Sequence, residues 1–148
     1  DSPASGPTDA HSAMTDYELP PQLAADTVSV CAWPLCEVLL LTDANYPWLV
    51  LVPARPDLRD FHDLSPDDMV TAGREISRAS EALMELFEPD KINVAALGNM
   101  VPQLHIHIVA RHTHDAAWPN PIWGVAPPLS YASDALGTRL TDLRRAFG

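Results

Sequence analysis

The sequence predicts an α+β domain built on an antiparallel sheet. Two short apolar runs, CEVLLL over 36–41 and WLVLV over 48–52, are strand-like and separated by a short polar connection. A long segment with apolar residues at helical spacing follows, then a second pair of strand-like runs, then a closing helical segment. The chain has 148 residues, enough for one domain with one ordinary core, and its 47% hydrophobic and 20% charged residues are globular values.

Residues 1–13 combine Ser, Ala, Pro and Asp without an apolar cluster, which predicts a mobile tail or a cloning remnant ahead of a single domain over 14–148. The first strand, 36–41, ends at Thr42-Asp43-Ala44-Asn45, residues with turn chemistry. The second, 48–52, is closed by Pro53 and Pro56, and a short helical turn is expected over 58–64. Ser65 is a natural N-cap, Pro66 suits the first helical position, and Asp67 and Asp68 complement the positive helix start. Met69, Ala72, Ile76, Ala79, Leu83 and Leu86 then form one apolar stripe, and Pro89 marks the end. KINVAAL over 91–97 is a third strand, Gly98-Asn99 a turn, and 103–111 a fourth strand. The proline-rich stretch 112–130 is expected to be ordered but irregular. A last helix over 134–147 places Leu136, Leu140, Leu143 and Phe147 on one face.

The formal net charge is −11, with only nine Lys and Arg, a field that repels nucleic-acid polymers. A mononucleotide is not excluded, since a few N–H groups and imidazoles hold one phosphate. Cys31 and Cys36 are too few for a disulfide framework and wrongly spaced for a C-x-x-C motif, so they are read as buried thiols. No apolar run approaches the roughly 20 residues that span a bilayer. The N-terminus also lacks a basic region followed by an apolar stretch. The expectation is a cytoplasmic protein without a membrane partner.

The chemistry lies in 103–109, QLHIHIV. Period-two alternation puts Leu104, Ile106 and Ile108 on one face and Gln103, His105 and His107 on the other. Two imidazoles separated by roughly 6.5–7 Å along a strand suit two contacts to one phosphate. A neutral imidazole is a competent nucleophile toward phosphorus, and its neighbour can hydrogen-bond a phosphate oxygen. The pair alone fits three readings: polar residues on a wet sheet face, a metal-ligand pair, or phosphate chemistry. A metal site would draw on His112 and His114 as further ligands, although RHTHD over 111–115 also reads as solvated surface. His11 and His62 are read as surface residues.

The run GNMVPQLHIHIVAR over 98–111 resembles the histidine-triad (HIT) signature, His-φ-His-φ-His-φ-φ with φ apolar. Tyr46-Pro47-Trp48-Leu49-Val50-Leu51-Val52-Pro53 is similar to the family's PGHVLVIP strand, and Phe61-His62-Asp63-Leu64-Ser65-Pro66-Asp67-Asp68 to its F-x-D-L-T-P-E-E helix start. Gln103 stands where the first triad histidine would be, and Trp48 replaces the histidine many members carry on the upstream strand. This Gln-x-His-x-His pattern, with its downstream Trp-Pro and Trp-Gly, resembles a bacterial branch.

The resemblance implies a HIT-like fold with about five antiparallel strands, one long helix and a C-terminal helix, usually as a homodimer. It implies hydrolysis or transfer at the α-phosphate of a purine nucleotide or dinucleotide, such as a dinucleoside polyphosphate or a nucleoside phosphoramidate. His105 would be the nucleophile of a nucleotidyl-histidine intermediate, His107 a phosphate contact, and Gln103 the source of a backbone carbonyl that orients His105. Asn99 would touch phosphate, Asp43 the ribose hydroxyls, and Trp48 would line the substrate site. Met100 replaces a small hydroxyl residue and removes a leaving-group contact. Trp118 and Trp123 either close the core or a subunit contact, or border the site from a partner chain. No cofactor and no metal ligand are called for. The alternatives are a nucleotide-binding protein with weak catalysis and a metal domain using His105, His107, His112 and His114.

Overall fold

The computed structural model describes residues 17–148, so the expectations for residues 1–13 and for His11 lie outside the described residues. The chain runs through a short helix α1 (Pro21–Asp26), strands β1 (Thr27–Ala32), β2 (Cys36–Leu41) and β3 (Trp48–Pro53), a 3-10 turn (Phe61–Asp63), helix α2 (Pro66–Phe87), strands β4 (Lys91–Ala95) and β5 (Ile106–Arg111), and helix α3 (Ala135–Ala146). The five strands form one antiparallel sheet in the order β1-β2-β3-β5-β4.

The local signals explain most of these elements. Ser65 Oγ accepts the Asp68 N–H at 3.1 Å, satisfying one of the free donors at the start of α2. The helix ends at Glu88 in the left-handed region (φ 46°), just before Pro89. The apolar stripe is shifted from the expected one. Ala72, Ala79, Ala82 and Leu83 are buried, Ile76 and Leu86 pack at the core's edge, and Met69 is exposed.

Glu75 is also buried on that face. Its carboxylate accepts the backbone N–H groups of Leu35 and Cys36 at 3.0 and 2.9 Å, so it ties α2 to the start of β2. Burial, reinforced by the adjacent Glu75 carboxylate, pushes the Cys36 thiol well above its ordinary range. Cys36 is buried as expected, Cys31 is only half-buried, and both are free thiols.

Alternation sorts the sheet's side chains between two apolar layers. Leu49, Leu51, Ile106, Ile108 and Ala110 face α2 and α3. Trp48, Val50, Val52 and Val109 face the other way, where Leu23 of α1 and Ala117 and Ile122 of the irregular segment cover them. Both faces of β3 are therefore dry, as its unbroken apolar run implies.

Helix α1 and strand β1 are not among the elements expected from the sequence, and two boundaries differ. β1 comes from TVSVCA, whose small and polar residues carry little strand signal and which pairs through an irregular register between Ser29 and Cys31. β4 stops at Ala95 rather than continuing to residue 97. β5 starts at Ile106 rather than 103, because Pro102 precedes Gln103 and the Leu104 N–H turns to the Leu58 carbonyl (2.9 Å) instead of a neighbouring strand.

Candidate active site

The side-chain alternation outlasts the strand. Leu104 packs into the helix-side core, while His105 and His107 lie on the opposite face, both nearly buried. Their ring centroids are 5.1 Å apart at 76°, closer than an ideal strand spacing, so the rings approach edge to face. In the sheet, His107 sits opposite Val50 of β3 and Ala95 of β4.

Each imidazole has one nitrogen committed. His105 Nδ1 is 2.7 Å from the Gln103 carbonyl oxygen. A carbonyl only accepts, so Nδ1 donates, and in the neutral ring Nε2 keeps its lone pair. His107 Nδ1 receives the indole Nε1–H of Trp48 at 3.0 Å. An indole only donates, so in neutral His107 the proton sits on Nε2. Burial, with a smaller contribution from neighbouring His105, lowers the His107 pKa to about 4, and the ring is neutral at physiological pH. The two rings thus hold opposite tautomers: a bare nitrogen on His105 and an N–H donor on His107.

These rings open into a groove of about 370 Å³ whose walls include Leu23, Leu41, Trp48, Asn99 and Trp123. A second hollow containing Asp43, Thr42 and Pro128 shares Asp26, Leu41 and Trp48 with it, so the two are continuous along one side of the sheet. Asp43 is buried, and its Oδ1 accepts from the backbone N–H groups of Asn45 and Leu129 and from the Asn45 side-chain amide. Asn99 is exposed on the groove's rim, and Met100 beside it is 82% exposed.

Gln103 does not present its side chain to the groove. Its amide Nε2 donates to the Pro53 carbonyl at 3.3 Å, and it is the Gln103 backbone that reaches His105. Trp123, expected either to close the core or a subunit contact or to border the site from a partner chain, lies on its own chain's groove, with its ring centroid 5.1 Å from His107 and 6.1 Å from Trp48.

The segment carrying Trp123 is anchored by a pair that sequence reasoning placed on the solvated surface. Arg111 and Asp115 are both almost fully buried and joined by two contacts, 2.8 and 3.1 Å. The second guanidinium edge donates to Asn93 Oδ1 at 2.8 Å, and Tyr46 and Trp118 flank the group. Burial opposes the Asp115 charge, but Arg111 and the N–H groups of His112, Ala117 and Trp118 outweigh it and hold the carboxyl at about 2. The four-residue spacing is no signal outside a helix; the contact forms because the chain turns after β5, where the Asp115 N–H donates to the His112 carbonyl at 3.0 Å.

The four-histidine metal arrangement does not form. His112 and His114 stack on one another (5.1 Å) in a different hollow beside Phe87 and Arg139, and His112 Nε2 hydrogen-bonds the Phe87 carbonyl. Among the described residues the cluster of metal-type side chains is Asp60, His62 and Asp63, which is exposed and shares no histidine with that set. No helix among the described residues is long and apolar enough to cross a membrane.

Comparison with known proteins identifies the family and the fold. The family model for the HIT domain matches residues 22–114. A histidine triad protein from Bradyrhizobium japonicum superposes with a TM-score of 0.88 at 47% identity, covering 90% of this chain and 99% of its own. One from Marinobacter aquaeolei gives 0.85 at 42% identity, covering 88% and 95%. A third, from Sinorhizobium meliloti, gives 0.86 at 32% identity, covering 90% and 98%. A search of curated proteins finds no match.

Proposed function

Since the chain belongs to the HIT-domain family, we propose that it binds a nucleotide in the groove beneath Trp123 and transfers its nucleotidyl group to His105 and then to water. The observation that carries this reading is the pair of opposite tautomers, His105 with a bare Nε2 and His107 with an Nε2–H donor.

In this mechanism His105 Nε2 attacks the α-phosphorus, and the bond to the leaving group breaks with its electron pair going to that group, which departs as a phosphate oxyanion or, from a phosphoramidate, takes a proton from solvent and departs as the amine. The ring becomes a phosphorylated imidazolium, whose positive charge rests on the Gln103 carbonyl through Nδ1–H. His107 Nε2–H donates to a non-bridging phosphate oxygen, where negative charge accumulates. Water then attacks the same phosphorus and gives up a proton to solvent, the N–P bond breaks with its electron pair returning to Nε2, and the nucleoside monophosphate leaves while His105 returns to its neutral form. The nucleoside would extend along the continuous groove toward Asp43, whose second oxygen is available to ribose hydroxyls, with Asn99 at the rim near the phosphate. No resident metal or cofactor enters this scheme. A homodimer in the cytoplasm belongs to the same reading, and the exposed Val94 on edge strand β4 supports the first part of it.

The test is intact mass after brief incubation with diadenosine polyphosphate or adenosine phosphoramidate, quenched in base because an N–P bond is acid-labile. An AMP-sized adduct or steady AMP release should appear in wild type and Gln103→Ala, since that variant retains the carbonyl, and vanish in His105→Ala. Neither adduct nor release from either substrate would overturn the transfer chemistry. The second reading, a binding protein with weak catalysis, draws on the Gln103 amide, which is turned to Pro53 and supplies no titratable group to the leaving side.

A further inference from the structure

The hollow beside Phe87 and Arg139 has a volume of about 410 Å³ and shares no lining residue with the histidine groove. Its polar walls come from separate elements: His112 and His114 from the turn after β5, and Arg139 from α3, with Phe87 at the end of α2 between them.

Each of these groups is held in place. The Arg139 guanidinium lies over the Phe87 ring, 4.8 Å from its centroid, and over the Tyr131 ring at 5.4 Å. It donates one N–H to the Tyr131 hydroxyl at 3.0 Å, and its Nε–Nη2 edge meets no acceptor among the described residues. His112 Nε2 is 2.9 Å from the Phe87 carbonyl, to which it donates. His114 is exposed, stacks on that ring at 23°, and engages neither nitrogen among the described residues.

The charge of the hollow runs against that of the chain. A formal net charge of −11 repels anions over most of the surface, yet here an arginine and two imidazoles converge. The one carboxylate in the lining is Asp115. It is already neutralised by the buried Arg111 and accepts the N–H groups of His112, Ala117 and Trp118.

We propose that this hollow is a phosphate-binding site separate from the reacting histidines, taking inorganic phosphate or the terminal group of a phosphate monoester. The free guanidinium edge of Arg139 supplies two parallel hydrogen bonds to phosphate oxygens. A tetrahedral group has further oxygens with which to reach His114 on the facing turn, whereas a carboxylate spends both of its oxygens on the arginine. The site goes beyond the nucleotidyl-transfer reading and does not depend on it.

The test is titration of the ¹⁵N-labelled protein, in EDTA, with inorganic phosphate and separately with glycerol 3-phosphate, following the ring resonances of the histidines. Those of His112 and His114 should shift saturably in wild type and in His105→Ala. His114→Ala and Arg139→Gln should each weaken binding, read at His112, by about tenfold, the size of one lost charge-assisted contact. His114 is exposed, so its removal keeps the assay open even where Arg139→Gln fails to fold. Tighter binding of either probe supports the site and tells free phosphate from a monoester. Shifts confined to His105 and His107, the same response to chloride at equal ionic strength, or unchanged affinity in His114→Ala and folded Arg139→Gln overturns the proposal. Absence of any nucleotidyl transfer in wild type, with the His112 and His114 shifts preserved, overturns the transfer reading alone.

Discussion

Trp48→Phe removes a single N–H from the site while keeping an aromatic ring in β3. In the wild type that N–H reaches His107 Nδ1 at 3.0 Å, and His107 is only 6% exposed, so water does not readily replace it. The net loss of one buried hydrogen bond is about 1 kcal/mol. Truncating the indole of a residue that is 8% exposed leaves a void that adds about another 1 kcal/mol to the cost in stability. Only the first contribution acts on the tautomer of His107. If His107 must present Nε2–H to the phosphate, 1 kcal/mol is worth about fivefold in the rate of nucleotidyl transfer. Ring-nitrogen chemical shifts in ¹⁵N-labelled protein read the tautomers directly, and single-turnover kinetics read the rate. The wild type should show Nδ1–H on His105 and Nε2–H on His107. Trp48→Phe should mix the tautomers of His107 alone and slow transfer about fivefold. The same tautomer on both rings in the wild type, or a full wild-type rate in a Trp48→Phe protein with mixed tautomers, would refute the reasoning.

Two further outcomes follow from buried charge. The His107 pKa falls from 6.5 to about 4 on folding, so between these values the unfolded chain binds a proton that the native protein does not, and stability must rise with pH. The His107 contribution across that window is about 3 kcal/mol, measured as the difference between urea unfolding of wild type and His107→Gln at pH 4 and pH 7. Equal pH dependence in the two proteins would contradict it. Asp115→Asn leaves the Arg111 guanidinium buried without its counter-charge, which should cost about 3–5 kcal/mol in thermal or urea unfolding. A loss below about 1 kcal/mol would mean that Asn93, Tyr46 and Trp118 hold the arginine without Asp115.

Much of the site was legible because it rests on local patterns. Period-two alternation placed His105 and His107 together opposite Leu104 and Ile106, although the strand proper starts only at Ile106. The Ser65-Pro66-Asp67-Asp68 start located α2 to the residue, because capping and helix-dipole preferences act within one turn. What escaped the sequence depends on distant partners. Glu75 looks like a charged residue interrupting an apolar stripe until the N–H groups of Leu35 and Cys36, some 40 positions away, arrive to satisfy it. Asp115 looks solvated until Arg111 and three backbone donors enclose it. The orientation of Gln103 was likewise hidden, since Pro102 interrupts the strand geometry that would have aimed its side chain at the groove.

The Arg111–Asp115 clamp divides the groove into two parts with separate histories open to them. The floor is β-sheet, where a one-residue slip would turn both histidines into the wrong layer. The roof is irregular chain pinned by the Arg111–Asp115 pair at the end of β5, by Ile122 buried against the sheet and by the Leu129 N–H on Asp43, and the exposed residues between these pins belong to no strand. Substitutions around Trp123 can therefore reshape what the groove admits while the imidazoles keep their geometry. Selection can retune what the groove admits and preserve the histidine pair, because the two are inherited on different pieces of the chain.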